Sequence, residues 1–275
     1  MDIDFVSPAT CEELVPVCSA AGRREYELAM RLPVFSEIQN IGTSLTERAS
    51  NEVATYAAFC VPCNKQVALL VDMLSGGRRV GDTWMPNWRE RLECPQCRMN
   101  SRQRLIATLV KQEVAAYPDD RLKVYIMEQV TPIYQWMKTH LSEHDVVGSE
   151  FLGPHHVSGT VVDGVTHQDV MNLSFADSSL DLIISNDVFE HVPDPCRAFS
   201  ECARVLKPGA KMLATFPFHA LQDGSVVRAT LNAEGVTHAL PPLFHGNPVS
   251  ADGSLVFTDF GWDCLSKLKE AGFAG

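Results

Sequence analysis

Four cysteines in two identical spacings carry the clearest chemistry in the chain: Cys60-Val61-Pro62-Cys63 and Cys94-Pro95-Gln96-Cys97. Thiolates two residues apart can grip one tetrahedral ion from a tight turn, and two such knuckles complete a four-thiolate site. The 30 residues between the knuckles exceed the usual ~15–20, but a longer loop adds closure entropy only logarithmically. Four protein ligands leave no open position, so Cys60, Cys63, Cys94 and Cys97 would hold a structural zinc ion rather than a catalytic one. A redox pair and unligated buried thiols are the competing readings. A redox pair belongs near the start of a thioredoxin-like βαβ unit, where neither knuckle sits. Cys11, Cys18, Cys196, Cys202 and Cys264 read as small buried or half-buried apolar groups.

The elements that must position these groups divide the chain into three parts. Residues 1–58 hold helix-like stretches near 21–31 and 45–58, around Pro33 and Gly42, without an evident chemical motif. Residues 59–100 form a zinc-ribbon-like module, with an apolar run, Val67–Val71, and a Gly76-Gly77 turn between the knuckles. Residues 101–275 open with a helix capped by Ser101 that runs to about Ala116 and stops before Pro118. Short apolar runs then alternate with helical ones. Strands are expected near 122–127, 145–149, 181–185 and 211–216, with a weaker one near 160–163, and helices near 131–140, 195–206 and 259–272. This alternation predicts an α/β fold, a doubly wound Rossmann-like parallel sheet with helices on both faces. Its ligand crevice would lie beyond the carboxyl ends of the strands.

Composition narrows the classes. The 275 residues are 45% hydrophobic and 21% charged, near the globular average, which excludes collagen-like, coiled-coil and disordered chains. The net charge of −11 repels nucleic acid and anionic lipid unless a local basic patch intervenes. One such patch exists: between Arg78 and Arg104, seven arginines face only Asp82, Glu90 and Glu93. A solvated or salt-bridged face is its plain reading, an anionic substrate group the functional one. No run approaches the ~18 apolar residues of a membrane span. The first 15 residues hold four acids and no base, unlike a signal or transit peptide. Nine cysteines, an odd number, without an export signal favour a reducing, cytoplasmic location.

A longer series of residues carries a resemblance. His167-Gln168-Asp169, Leu173-Ser174-Phe175 and Asp181-Leu182-Ile183-Ile184-Ser185 are followed by Glu190-His191-Val192-Pro193-Asp194-Pro195 and Arg204-Val205-Leu206-Lys207-Pro208-Gly209. At these offsets the series resembles the third to fifth strands of class I S-adenosylmethionine-dependent methyltransferases. The first strand departs from that pattern. Where the family usually has Gly-x-Gly, this chain reads Met127-Glu128-Gln129-Val130-Thr131-Pro132, with Thr131 and Pro132 suited to a helix cap and first turn. A bacterial subset resembles the chain from about residue 60 onward. It shares Asn87-Trp88-Arg89-Glu90, Asn100, Arg102, Arg104, the Glu128–Pro132 run and Gly148-Ser149-Glu150.

The resemblance implies S-adenosylmethionine as cofactor and assigns roles by position. Glu150, ending the second strand, would accept the ribose hydroxyls. Asp169 would accept from the adenine amino group, with Val170 packed on the ring. Glu128 and Asn186 would face the cofactor from the first and fourth strand ends. Solvated strand-end carboxylates, an Asx turn at Asp169 and helix caps are the structural alternatives. Because the methyl carbon of a sulfonium is already electrophilic, the protein must align the acceptor and, for a hydroxyl, remove a proton. Histidine suits that base role. His191 follows the fourth strand, while His219, His238 and His245 lie in the insertion 218–258, where such folds build the acceptor pocket. His219, His245 and His191 are the candidate bases. The resemblance implies transfer to a hydroxyl of a small metabolite or a sugar-containing intermediate, and the Asn/Asp-Pro-Pro-aromatic motif that often marks nitrogen methylation does not follow the fourth strand. An RNA methyltransferase gripping phosphate with the arginine patch, and a zinc-dependent binding protein with a decayed cofactor site, are the other readings; net charge and sparse aromatics weigh against nucleic acid. The family's closing hairpin has almost no residues here, so the sheet would keep an open edge, which invites a homodimer.

Overall fold

The computed structural model describes residues 20–274. Cys11 and Cys18 lie outside the described residues. Two helices, α1 (Arg23–Ala29) and α2 (Pro33–Glu47), come first. Pro33 sits in the first turn of α2 and the helix runs through Gly42, so the helix expected over 45–58 is corrected. Its second half is instead strand β1 (Ala54–Cys60), paired antiparallel with β2 (Lys65–Val71) from Ala54↔Val71 to Cys60↔Lys65. Alternating burial of Tyr56 and Cys60 against Leu69 and Val71 is the period-2 signature that decides for a strand. A smaller hairpin of β3 (Arg78–Val80) and β4 (Thr83–Met85) follows.

Helix α3 (Ser101–Ala115) starts at Ser101 itself, so its cap lies one residue before the expected one. Asn100 is the N-cap: its side chain accepts from the Gln103 amide while the Gln103 side chain accepts from the Asn100 amide, a reciprocal capping box. The Ser101 hydroxyl instead donates toward the Trp88 and Arg89 carbonyls, at 2.5 and 2.9 Å, which ties the helix to the ribbon.

The doubly wound half contains β5 (Lys123–Ile126), α4 (Pro132–His140), β6 (Asp145–Gly148), β7 (Val161–Val162), β8 (Val165–Thr166), β9 (Leu180–Asn186), α5 (Pro195–Val205) and β10 (Leu206–Thr215). Four of these strands form one sheet in the order β10-β9-β5-β6, every pair parallel. The weak strand expected near 160–163 is present as β7, but it pairs with β8 in a hairpin and does not join the sheet. A single parallel bridge between Glu150 and His167 occupies the sheet position beyond β6.

Successive residues of β5 and β9 enter opposite cores, as strands buried on both faces require. Val124, Ile126, Leu182 and Ile184 pack with Ile106 and Val110 of α3 and Ile133 and Met137 of α4. Tyr125 and Ile183 pack with Phe189, with Phe199 and Val205 of α5, and with Phe260. Arg204 lashes the segment before β9 to α5 through the Leu173 and Phe175 carbonyls, Asp177 and Glu201.

After β10 come three two-stranded pairs: β11 (Val226–Val227) with β16 (Thr258–Asp259), β12 (Ala229–Asn232) with β13 (Gly235–His238), and β14 (Phe244–Asn247) with β15 (Ser250–Leu255). Helix α6 (Asp263–Glu270) then packs on α5. Among the described residues β10 is an edge strand.

Candidate active site

At the carboxyl ends of β5, β6 and β9 lies a cleft of about 1780 Å³. It is lined by every sequence-predicted cofactor residue, Glu128, Glu150, Asp169, Val170 and Asn186, and by the three candidate histidines. His238 is exposed on β13 and is not part of the lining.

The glycine-free turn after β5 is held by a carboxylate. Glu150 Oε1 accepts from the amides of Gln129 and Val130 at 2.7 and 3.1 Å. The Gln129 side chain in turn clamps the β7–β8 hairpin, accepting from the Thr166 amide and donating to the Gly164 carbonyl. Thr131 is the N-cap of α4, yet its side chain makes no cap bond and its Oγ1 is buried without a partner. The need for glycine has moved to β6: a Cβ at Gly148 would sit 2.5 Å from the Glu128 carbonyl oxygen and equally close to the Tyr134 ring.

Three carboxylates and an amide then face the cofactor end. Burial raises the carboxyls of Glu128 and Glu150 above the usual range, opposed at Glu150 by the two amides it accepts from. Glu128 Oε1 accepts from Asn186 Nδ2 at 2.5 Å, which leaves Asn186 Oδ1 buried and unpaired. Asp169 Oδ1 accepts from the Met171 amide at 2.9 Å, the geometry of an Asx turn. Val170 is buried with Tyr125 and Met127. These atoms make a wall of acceptors, complementary to a ligand with hydroxyl, amino and ammonium donors.

Two arginines of the cluster, Arg89 and Arg102, line the same cleft and are held there by ion pairs. Glu90 accepts from Arg89, Asn100 and Arg102. Arg89 also chelates Asp187 with both terminal nitrogens, and Arg102 lies 3.4 Å from the same carboxylate. Burial pushes the Asp187 carboxyl up, but the Arg89 and Arg102 guanidiniums prevail and hold it below the usual range. Arg102 Nη1 remains buried without a partner on the cleft wall. Arg79, Arg91 and Arg98 pair with Asp82, Asp72 and Glu93, and Arg104 donates to the Leu92 carbonyl. The cluster is therefore largely a salt-bridged face. Sequence reasoning missed Arg89, Arg102, Asp187 and Glu190 as site residues; the Asn-Trp-Arg-Glu run beside Asn100 and Arg102 was the available signal.

Beside the β14–β15 hairpin, Glu190 stands between two histidines. Its Oε1 is 3.5 Å from His191 Nε2 and 3.5 Å from His245 Nδ1, and the two rings meet edge to face at 5.0 Å. His191 Nδ1 lies 2.8 Å from the Leu255 carbonyl oxygen, and burial lowers the pKa of this imidazole. The His219 amide donates to the Phe260 carbonyl, which places its ring on the cleft wall.

The four cysteines converge as their spacing predicts. All four sulfurs lie within 4.8 Å of one another, with Cys60–Cys97 at 3.9 Å and Cys63–Cys94 at 3.8 Å. Tetrahedral thiolates at ~2.3 Å from one ion would be about 3.8 Å apart. Asn64 and Arg98, each directly after the second cysteine of a knuckle, adopt left-handed backbone, φ 52° and 61°, which turns the chain back around the sulfurs.

Residues 134–214 match the family described as methyltransferase domain. An uncharacterized methyltransferase of Mycobacterium sp. (strain JLS) is 44% identical over 45 residues, 16% of this chain and 18% of that protein. Phosphoethanolamine N-methyltransferase 2 of Caenorhabditis elegans is 40% identical over 47 residues, 17% and 11% of the two chains. The chain thus spans less than a fifth of the length of these curated relatives. An S-adenosylmethionine-dependent methyltransferase structure from Mesorhizobium loti is 19% identical, with 60% of this chain and 80% of that one covered, at a TM-score of 0.36.

Proposed function

We propose that this chain, whose residues 134–214 match the methyltransferase-domain family, transfers the methyl group of S-adenosylmethionine to a hydroxyl of a small metabolite or a sugar-containing intermediate. The observation that carries the reading is the wall of acceptors, Glu128, Glu150, Asp169 and Asn186 Oδ1, at the carboxyl ends of three parallel strands. S-adenosylmethionine offers a ribose diol, an adenine amine and an α-ammonium, and each donor needs such an acceptor. Its carboxylate needs a donor, and the unpaired Arg102 Nη1 suits that role. In this reading Arg102, delivered by the ribbon side of the chain, takes over what a glycine loop's amides do elsewhere, since Glu150 already occupies the amides of Gln129 and Val130.

The cofactor supplies an electrophilic methyl carbon on a positively charged sulfur. Glu150 and Asp169 hold its nucleoside, while Glu128 and Arg102 orient its amino-acid end. The cleft volume exceeds the ~300–1,000 Å³ of a single-ligand pocket, so a second molecule fits against the β14–β15 hairpin, where Phe244 and Pro248 contribute to the wall. The acceptor oxygen forms the new C–O bond as the C–S bond breaks with its electron pair on sulfur, and the hydroxyl proton passes to His219 on the cleft wall, which contacts the acceptor, and then to solvent. The thiolate spacing supports a structural zinc ion at Cys60, Cys63, Cys94 and Cys97. No helix among the described residues is long and apolar enough to cross a membrane.

Calorimetric titration of S-adenosylhomocysteine into zinc-assayed protein tests the reading. Micromolar binding, weakened at least tenfold in Glu150→Ala, supports it; folded, zinc-loaded protein that does not bind overturns it.

A further inference from the structure

Glu190 is the one carboxylate among the described residues with both oxygens buried and unpartnered. Its side chain is 1% exposed, and neither carboxylate oxygen has a hydrogen-bond partner. An isolated buried carboxylate is expensive and is retained where it pairs with a cation or binds a metal. Here Oε1 points at two imidazole nitrogens, each 3.5 Å away, beyond hydrogen-bond range for charge-assisted N–H···O contacts of ~2.7–2.9 Å.

The tautomer of His191 sharpens the anomaly. A carbonyl oxygen can only accept, so the 2.8 Å contact with Leu255 puts the ring proton of neutral His191 on Nδ1 and the lone pair of Nε2 toward Glu190 Oε1. Two lone pairs facing each other need a proton or a metal ion between them, and 3.5 Å is long for a shared proton, whose N–H···O contact would be about 2.7–2.9 Å. Ligands about 2.1 Å from one ion with tetrahedral angles are about 3.4 Å apart, close to both observed separations. The Leu255 contact is also the kind of outer hydrogen bond that orients metal-ligating histidines.

We propose that Glu190, His191 and His245 bind a divalent transition-metal ion at the acceptor end of the cleft. The three potential donor atoms lie within 4.8 Å of one another and are distinct from the cysteine cluster. The fold supplies them from two directions. Glu190 and His191 sit on the 3₁₀ turn Phe189–His191 after β9, where the Phe257 amide donates to the Glu190 carbonyl. His245 arrives on β14 and pairs in register with Ser254. Gly253, at φ 75°, makes this approach feasible, because a Cβ there would overlap the His245 carbonyl oxygen. Two imidazoles and one carboxylate suit zinc, manganese or ferrous iron, and three protein ligands leave coordination open. Both histidines line the cleft, so the open position faces the acceptor. Resting on the function proposed above, the ion would bind the acceptor's hydroxyl oxygen and lower its pKa before methyl transfer.

The test uses the full chain with the cysteine site already filled by one equivalent of zinc. Manganese, which thiolates disfavour, is titrated in, and binding is read from loss of the free-ion paramagnetic resonance signal; a parallel titration uses zinc. One further equivalent should bind, weakened at least tenfold in both His245→Ala and Glu190→Gln. His245 is half-buried on a hairpin, so its variant retains the fold, which thermal melting checks. The inference is overturned if neither ion binds beyond the cysteine equivalent, or if binding survives both substitutions unchanged. The readout needs neither cofactor nor acceptor, so its failure leaves the methyl-transfer reading standing, and the reverse also holds.

Discussion

Arg89 of the ribbon side and Asp187 at the end of β9, 98 residues apart in the chain, are locked in a two-pronged ion pair at the mouth of the cleft. Asp187 sits there in a left-handed conformation, φ 54°, with its amide donating to the Thr215 carbonyl and its Oδ1 accepting from the Thr215 hydroxyl. One carboxylate thus fastens the cysteine-rich part to two adjacent strands.

Stripping the zinc proposed at the four cysteines should therefore weaken the proposed binding of S-adenosylhomocysteine as well as stability. With the knuckles loosened, Arg89 and Arg102 lose their placement. S-adenosylhomocysteine affinity measured before and after thiol-selective chelation is expected to fall at least tenfold, and to return on adding zinc.

Arg102→Ala should lower S-adenosylhomocysteine affinity about 10–100-fold, equivalent to about 1.4–2.8 kcal/mol. Arg102→Lys keeps the charge but loses the fork geometry and is expected to recover only part of it. Calorimetry on both variants, with melting curves to check folding, reads the difference.

The Asp187 pair makes stability acid-sensitive. Its folded carboxyl titrates below the ordinary value of 3.8, so the unfolded chain takes up the proton first as pH falls. The pair's contribution is complete above the unfolded value and is lost between that value and the lower folded one. Asp187→Asn should destabilise the protein by about 1–3 kcal/mol near neutrality, and the gap between variant and parent should close as pH falls below the ordinary value of 3.8. Denaturant unfolding at several pH values measures it.

Gly148→Ala should destabilise the fold by about 1–3 kcal/mol, the usual cost of overpacking, because the added methyl meets the Glu128 backbone and the Tyr134 ring. Cofactor affinity should fall with it, since the displaced turn carries Glu128. Thermal melting and calorimetry on the same preparation check both effects.

What the sequence made legible was local or periodic. Two Cys-x-x-Cys turns announced their cluster, and alternating apolar runs announced a parallel sheet whose strand ends hold Glu128, Glu150 and Asn186. The misreadings were places where a distant partner decides. Ala54–Cys60 has a composition that a helix tolerates, and only pairing with Lys65–Val71 makes it a strand. Ser101 looked like a cap, but Asn100 took that role once Ser101 was drawn to the Trp88 and Arg89 carbonyls. The ion pairs of Arg89 and Arg102 with Asp187 span so much chain that no spacing rule encodes them. Glu190 was hidden by its own motif, since an acid before a histidine reads as helix-turn polarity until its burial is known.

Helix α3 has two allegiances. Its first turn, through Ser101 and Arg102, belongs to the ribbon and the cleft mouth, while Ile106, Val110 and Val114 belong to the sheet's core. A chimera joined at residue 100 would part Asn100 from Gln103 and cap the helix with a stranger's residue. The cysteine-rich part and the sheet therefore share one helix, and a chain that keeps one without the other loses a side of the cleft.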